Sequence, residues 1–144
     1  MPTLIDQLIL HEGIRLKPYT DPVGKVTIGV GRNLTDVGIS MEEARILLVH
    51  DLEMADAALQ HYPWFRGLDA IRRRVLIDMC FNMGPAKLAT FQLFMASVAR
   101  AQWDEAANNM FTSAWRKQVG NRATRLIQMM RTGQDYIRDE PRNV

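Results

Sequence analysis

Eight residues separate Glu12 from Asp21, and five more separate Asp21 from Thr27. Two carboxylates flanking a groove are the minimal equipment for breaking a glycosidic bond. One protonates the leaving oxygen, while the other activates water or attacks the sugar. Glu12 suits the acid, because the C-terminal end of a helix carries partial negative charge that disfavours an ionised carboxylate. Asp21, in the polar turn Asp21-Pro22-Val23-Gly24, stays ionised more easily. Thr27 carries a hydroxyl able to hold a water against the opposite side of a sugar ring. A plainer reading stands beside this one: 16 acids offer many such pairs, and an acid at a helix end is often only a solvated surface group.

The elements that must position these residues are legible from periodicity. Leu4, Ile5, Leu8 and Ile9 recur at helical spacing behind a potential Thr3 cap, which predicts a helix over 3–11. Gly13 is a natural terminator, so Glu12 lies at or just past the helix end. Residues 25–31 alternate strictly, with Val26, Ile28 and Val30 on one face and Thr27, Gly29 and Gly31 on the other. The turn before them predicts that 18–21 pair back as a hairpin strand. The glycines should leave the Thr27 face nearly bare, a candidate cleft floor. From Ser40 onward the chain reads as helix. Ser40-Met41-Glu42-Glu43 is a capping box opening a run to about His61, before Pro63. At about 20 residues it would be about 30 Å long, enough to join two lobes. Further helices are expected over 68–82, 91–101, 103–112, 113–117 and 121–132, with Gly84-Pro85 ending the first of them. The expected fold is therefore α+β and predominantly helical, a single domain of two lobes. A small N-terminal lobe over about 13–40 carries a β-hairpin sheet. A long interlobe helix spans about 40–61, and a C-terminal helical bundle spans about 64–134, joined by the helix 3–11. The polar tail 135–144, with Pro141, is expected to be loosely held.

Composition narrows the function classes. At 144 residues, 47% hydrophobic and 24% charged, the chain can bury a core without metal or disulfide. The one cysteine, Cys80, lies in an apolar helical stretch and reads as a buried, inert thiol. No stretch approaches the roughly 20 apolar residues of a membrane span, so stable membrane insertion is not expected. The N-terminus lacks the basic start of a secretion signal, which predicts a protein held in a cytoplasm until something releases it. His11, His50 and His61 are scattered without metal-ligand spacing, and neither metal nor cofactor is expected. Trp64, Trp103 and Trp115 could stack on sugars, though aromatic residues in a bundle are more often core. Residues 1–65 hold 5 basic against 9 acidic side chains, whereas residues 66–144 hold 13 against 7. The basic half suits an anionic partner, although Arg72, Arg73 and Arg74 could equally be solvated helix surface. Nucleic-acid binding has no matching motif.

The run His11-Glu12-Gly13-Ile14-Arg15-Leu16-Lys17-Pro18-Tyr19-Thr20-Asp21, followed by Gly24-Lys25-Val26-Thr27-Ile28-Gly29-Val30-Gly31, resembles the phage lysozymes of the T-even type. These sit within a wider endolysin family of glycoside hydrolases that use a Glu-Asp-Thr set. The resemblance continues in order through 68–73, Asn82-Met83-Gly84, 103–107, 121–123 and Arg131-Thr132-Gly133. It implies Glu12 as general acid and Asp21 with Thr27 as the pair that positions and activates water, giving inversion at the anomeric carbon. It further implies Phe81, Asn82 and Asn109 as saccharide-cleft residues, and Arg122 as an arginine that pairs with the catalytic glutamate. That cation would oppose the helix-end effect on Glu12.

Three departures stand out. Arg32 replaces a histidine whose partner aspartate corresponds to Asp51, suggesting a structural pair Arg32–Asp51 whose cation does not titrate near neutrality. Asn33 and Phe94 replace a leucine and a serine at cleft-lining positions. The link from Arg32 to Ser40 is short by about one helix. The implied partner is bacterial peptidoglycan, an anionic polymer that a basic lobe would adsorb. The implied context is a monomeric endolysin that waits in the host cytoplasm for a holin or membrane damage. A tail-associated or interbacterial muramidase and a catalytically silent wall-binding protein are the alternatives.

Overall fold

The computed structural model describes residues 1–136, so most of the polar tail lies outside the described residues. The chain divides into two compact units, Met1–Leu48 and Val49–Val144.

The first unit opens with α1 (Leu4–Glu12). The Thr3 hydroxyl accepts from the Asp6 amide at 3.1 Å, and the Asp6 carboxylate returns a 2.7 Å bond to the Thr3 amide. This reciprocal cap holds the Asp6 carboxyl below its ordinary range. At the other end the Gly13 amide donates to Ile9 O at 2.8 Å. A three-stranded antiparallel meander follows: β1 (Arg15–Thr20), β2 (Val26–Gly29) and β3 (Arg32–Asn33), with β2 in the middle. The β1–β2 ladder is in register at Tyr19↔Thr27 and Thr20↔Val26, but shifts before Arg15↔Gly29. The irregularity brackets Pro18, which has no amide to give the ladder. Helix α1, expected with the helical lobe, is grouped here with the first unit.

The division between units falls inside α2 (Met41–Leu59). As expected from the sequence, Ser40 and Glu43 form a capping box at its start, with bonds of 3.1 Å and 2.9 Å. Pro63 lies beyond a turn in which the Tyr62 amide donates to Leu59 O at 3.0 Å.

After a 3-10 turn (Phe65–Gly67), the second unit builds a bundle from α3 (Ala70–Met83), α4 (Pro85–Ala89), α5 (Gln92–Ala99), α6 (Trp103–Phe111), α7 (Ala114–Val119) and α8 (Asn121–Thr132). Helix α6 packs on α5 and α8, and α8 also meets α3. Val75, Leu76, Ala106, Ala107, Met110, Trp115, Ala123 and Met130 are each at most 2% exposed. Burying one large apolar side chain contributes about 1.5–3 kcal/mol, so this set carries the unit's stability. Among the described residues no helix is long and apolar enough to cross a membrane.

Arg72 ties α3 to the end of α8. Its guanidinium donates to Met130 O at 2.7 Å and Arg131 O at 3.1 Å, pairs with Asp69, and stacks 4.0 Å from the Trp103 ring centroid. Carbonyls at a helix C-terminus lack intrahelical partners, and a cation is the favourable group to satisfy them.

Candidate active site

Glu12 is the last residue of α1 and is exposed to solvent. Its carboxyl lies beside the backbone of Gly31: a Cβ built at Gly31 would sit 3.6 Å from Glu12 Oε2 and 3.9 Å from its Cδ. Helix end and sheet end thus meet at the candidate acid.

Asp21 and Thr27 are joined through one peptide. The Asp21 amide donates to Lys25 O at 2.9 Å, and the Thr27 hydroxyl donates to the same oxygen at 3.0 Å. In return Asp21 Oδ1 accepts from the amides of Val23 at 3.0 Å and Lys25 at 2.8 Å. Such a side-chain turn locks the carboxylate's orientation. Both amides fall on Oδ1, and among the described residues no protein donor reaches Oδ2. The proton of Thr27 is spent on Lys25 O, so its remaining capacity is to accept.

The bare face expected around Thr27 is corrected here. Thr27 is 4% exposed, while Val26 and Val30 on the opposite face are 41% and 40% exposed. Its directly opposite cross-strand neighbours are Tyr19 and Asn33, and side chains paired in this way share one face of a sheet.

Two arginines singled out in the sequence are engaged by acids of their own units. Arg32 meets Glu43 at 2.8 Å and donates to Gly38 O at 3.2 Å, where the sequence suggested Asp51 as its partner. The short link after Arg32 brings the α2 cap to it. The Arg32 guanidinium, with help from Ser40, holds the Glu43 carboxyl down at about 2. Arg122 is engaged by Asp78 of α3, with Nε and Nη2 at 2.7 Å and 2.6 Å from one carboxylate oxygen. The sequence marks Glu43 only as part of the α2 cap and does not mark Asp78. Asp78 had a signal, a lone acid in the apolar run Leu76-Ile77-Asp78-Met79-Cys80 that requires a partner.

The remaining candidates fall as follows. Asn33 faces Thr27 across the ladder and organises the loop after it, accepting from the Asp36 amide at 2.9 Å and donating to its carboxylate at 3.0 Å. Phe81 is 43% exposed and, with Asp51 and Met54, lines a depression of about 450 Å³ in the second unit. Asn82 accepts from the buried Trp115 indole at 3.0 Å. Asn109 donates to Ser97 Oγ at 2.9 Å, fixing its side chain on the inner face of α6. Phe94 departs from its expected cleft role, being only 2% exposed. On α5 it shares the inward stripe with Met95 and Val98, where a large apolar ring gains more from core packing than from water. Among the described residues no cluster of His, Cys, Asp or Glu is placed to hold a metal ion.

The sequence pattern of the phage lysozyme family matches residues 10–132. A Dictyostelium discoideum protein described as probable T4-type lysozyme 1 is 28% identical, with 89% of this chain and 93% of that protein covered. A second, probable T4-type lysozyme 2, is 26% identical over 91% of this chain and 95% of its own length. The pre-baseplate central spike protein Gp5 of Enterobacteria phage T4 is 26% identical over 91% of this chain, which spans 28% of the spike protein. The first alignment runs over 158 positions, more than the chain's own 144 residues, so that relative carries residues this chain lacks.

Proposed function

The chain belongs to the phage lysozyme family and is a glycosidase of the lysozyme type; on that premise we propose how its residues act. It hydrolyses the β-1,4 bond between N-acetylmuramic acid and N-acetylglucosamine in bacterial peptidoglycan. Glu12 protonates the leaving oxygen. Asp21 and Thr27 hold the attacking water, Asp21 takes its proton as the water oxygen bonds to the anomeric carbon, and the product inverts at that carbon.

The observation that carries this reading is the shared Lys25 carbonyl. With its own proton given to Lys25 O, Thr27 can engage a water only by accepting from it. Asp21 Oδ2 likewise only accepts. A water donating to both turns its lone pair outward, the orientation an in-line attack on a sugar carbon requires. Asn33, Phe81, Asn82 and Asn109 are the saccharide contacts in this reading, and the basic second half favours adsorption to an anionic wall.

The biological role follows as an endolysin: a monomer kept in the host cytoplasm until a holin or other damage opens the membrane, then acting on the wall. A second reading, a tail-associated muramidase, is favoured by the similarity to the spike protein.

The test is lysis of outer-membrane-permeabilised Gram-negative cells by the wild type and Glu12→Gln. The wild type should clear the suspension and leave free reducing muramic acid ends, and the variant should be at least about 100-fold slower, equivalent to about 2.7 kcal/mol of barrier. Equal clearing by both removes Glu12 from its role. Wall binding without lysis by either one supports a silent binding protein instead.

A further inference from the structure

Gly31 stands apart from the other glycines of the first unit. A Cβ added at Gly13, Gly24, Gly29 or Gly38 would meet nothing within 4 Å, whereas at Gly31 it would meet the Glu12 carboxyl at 3.6 Å. We propose that Gly31 is a positioning residue for Glu12, leaving open the side of the carboxyl that must reach the leaving oxygen. The proposal rests on Glu12 being the acid.

The physical reasoning turns on what a methyl group does at that distance. At 3.6 Å it does not collide with Oε2. It lies against the oxygen and takes the place of one polar neighbour, whether water or a sugar oxygen. A carboxyl acting as acid must have its proton-bearing oxygen within about 3 Å of the atom it protonates. Bare backbone at residue 31 permits that approach, and any side chain there competes with it.

Backbone strain is a separate effect and can be matched. Gly31 has φ +74° and Gly29 has φ +68°. Alanine at either position forces an L-residue into the left-handed region, so the two substitutions carry a matched strain. Only at Gly31 does the new methyl also touch Glu12.

The experiment compares Gly31→Ala, Gly29→Ala and Glu12→Gln by thermal unfolding and by turnover of two substrates. One is peptidoglycan. The other is a peptidoglycan saccharide bearing a para-nitrophenyl leaving group, which departs without a proton. Gly31→Ala and Gly29→Ala should lose similar amounts of melting temperature. On peptidoglycan, Gly31→Ala should lower kcat at least about tenfold more than Gly29→Ala with KM little changed. On the aryl substrate that difference should shrink to about twofold or less. Should Gly31→Ala fail to fold, Gly31→Asn carries the same comparison against Gly29→Asn, since asparagine tolerates positive φ best among side-chain-bearing residues. Equal losses at positions 29 and 31 on both substrates overturn the proposal and leave the acid assignment intact. Full peptidoglycan activity in Glu12→Gln overturns the acid assignment and the proposal with it.

Discussion

The two units of this chain are built on different principles. Among residues 1–48 only Thr27 is buried, while apolar side chains such as Leu16 and Ile5 are 86% and 69% exposed. The second unit buries Val75, Leu76, Ala106, Ala107 and Met130 to within 1% of complete exclusion. One unit is organised by reciprocal caps, side-chain turns and ladder bonds, the other by a packed apolar core. The three proposed catalytic residues all lie in the unit organised by polar links. Hydrogen bonds fix direction, which a catalytic carboxylate needs, but each contributes only about 0.5–1.5 kcal/mol net.

That contrast can be broken most sharply by truncation. Leu76→Ala should cost about 2–5 kcal/mol in denaturant unfolding, because it empties a site with no exposure. Leu16→Ala in β1 should stay within about 0.5 kcal/mol. Comparable losses in both would dissolve the distinction.

Next in size is Asp21→Asn. Its amide oxygen can still accept from the Val23 and Lys25 amides, so the melting temperature should barely move, whereas lysis should fall by about 100-fold or more, near 2.7 kcal/mol. A large melting shift would mean that Asp21 serves the turn more than the reaction.

Gly133→Ala tests how tightly the second unit closes. Its φ is +67°, and a Cβ there would lie 2.8 Å from Arg72 Nη1. Arg72 is held by two carbonyls, an aspartate and an indole, and cannot swing aside freely. A loss of about 1–3 kcal/mol is expected by calorimetry. An unchanged melting point would show that this lock is slack.

The smallest effect concerns the cap of α2. Glu43 titrates at about 2 in the folded chain, below its ordinary 4.5. A depressed carboxylate stabilises the fold above its unfolded value, and the contribution fades as pH falls from about 4.5 toward 2. Glu43→Gln should therefore be slightly less stable than the wild type near neutrality and converge with it near pH 2. A gap that persists at pH 2 would assign the effect to something other than this charge.

Local features were legible from sequence. The Thr3 cap and the Ser40–Glu43 box are contacts three residues apart, encoded in adjacent letters. Helix α8 begins and ends where its glycines place it, and the fold class follows from the change of period between 25–31 and the helices. Most of what escaped is non-local. Strand β3 is two residues long and exists only through its pairing with β2. Pro85 reads as a stop, yet it opens α4, because proline fits the first helical position. The spacing of Glu12, Asp21 and Thr27 could be counted, but the common tether at Lys25 O could not. Partners for Arg32 and Arg122 depend on which acids the fold brings near. Burial of Thr27 involves its cross-strand neighbours, which alternation does not reveal.

Cys80 gives the second unit a built-in clock. The chain's one thiol is 2% exposed, burial pushes its pKa up, and it points at Ala55 O of α2 from 3.9 Å. Neither thiolate nor access is available while α3 and α2 stay packed. Alkylation under native conditions therefore proceeds only through opened molecules, and its rate counts how often this core comes apart.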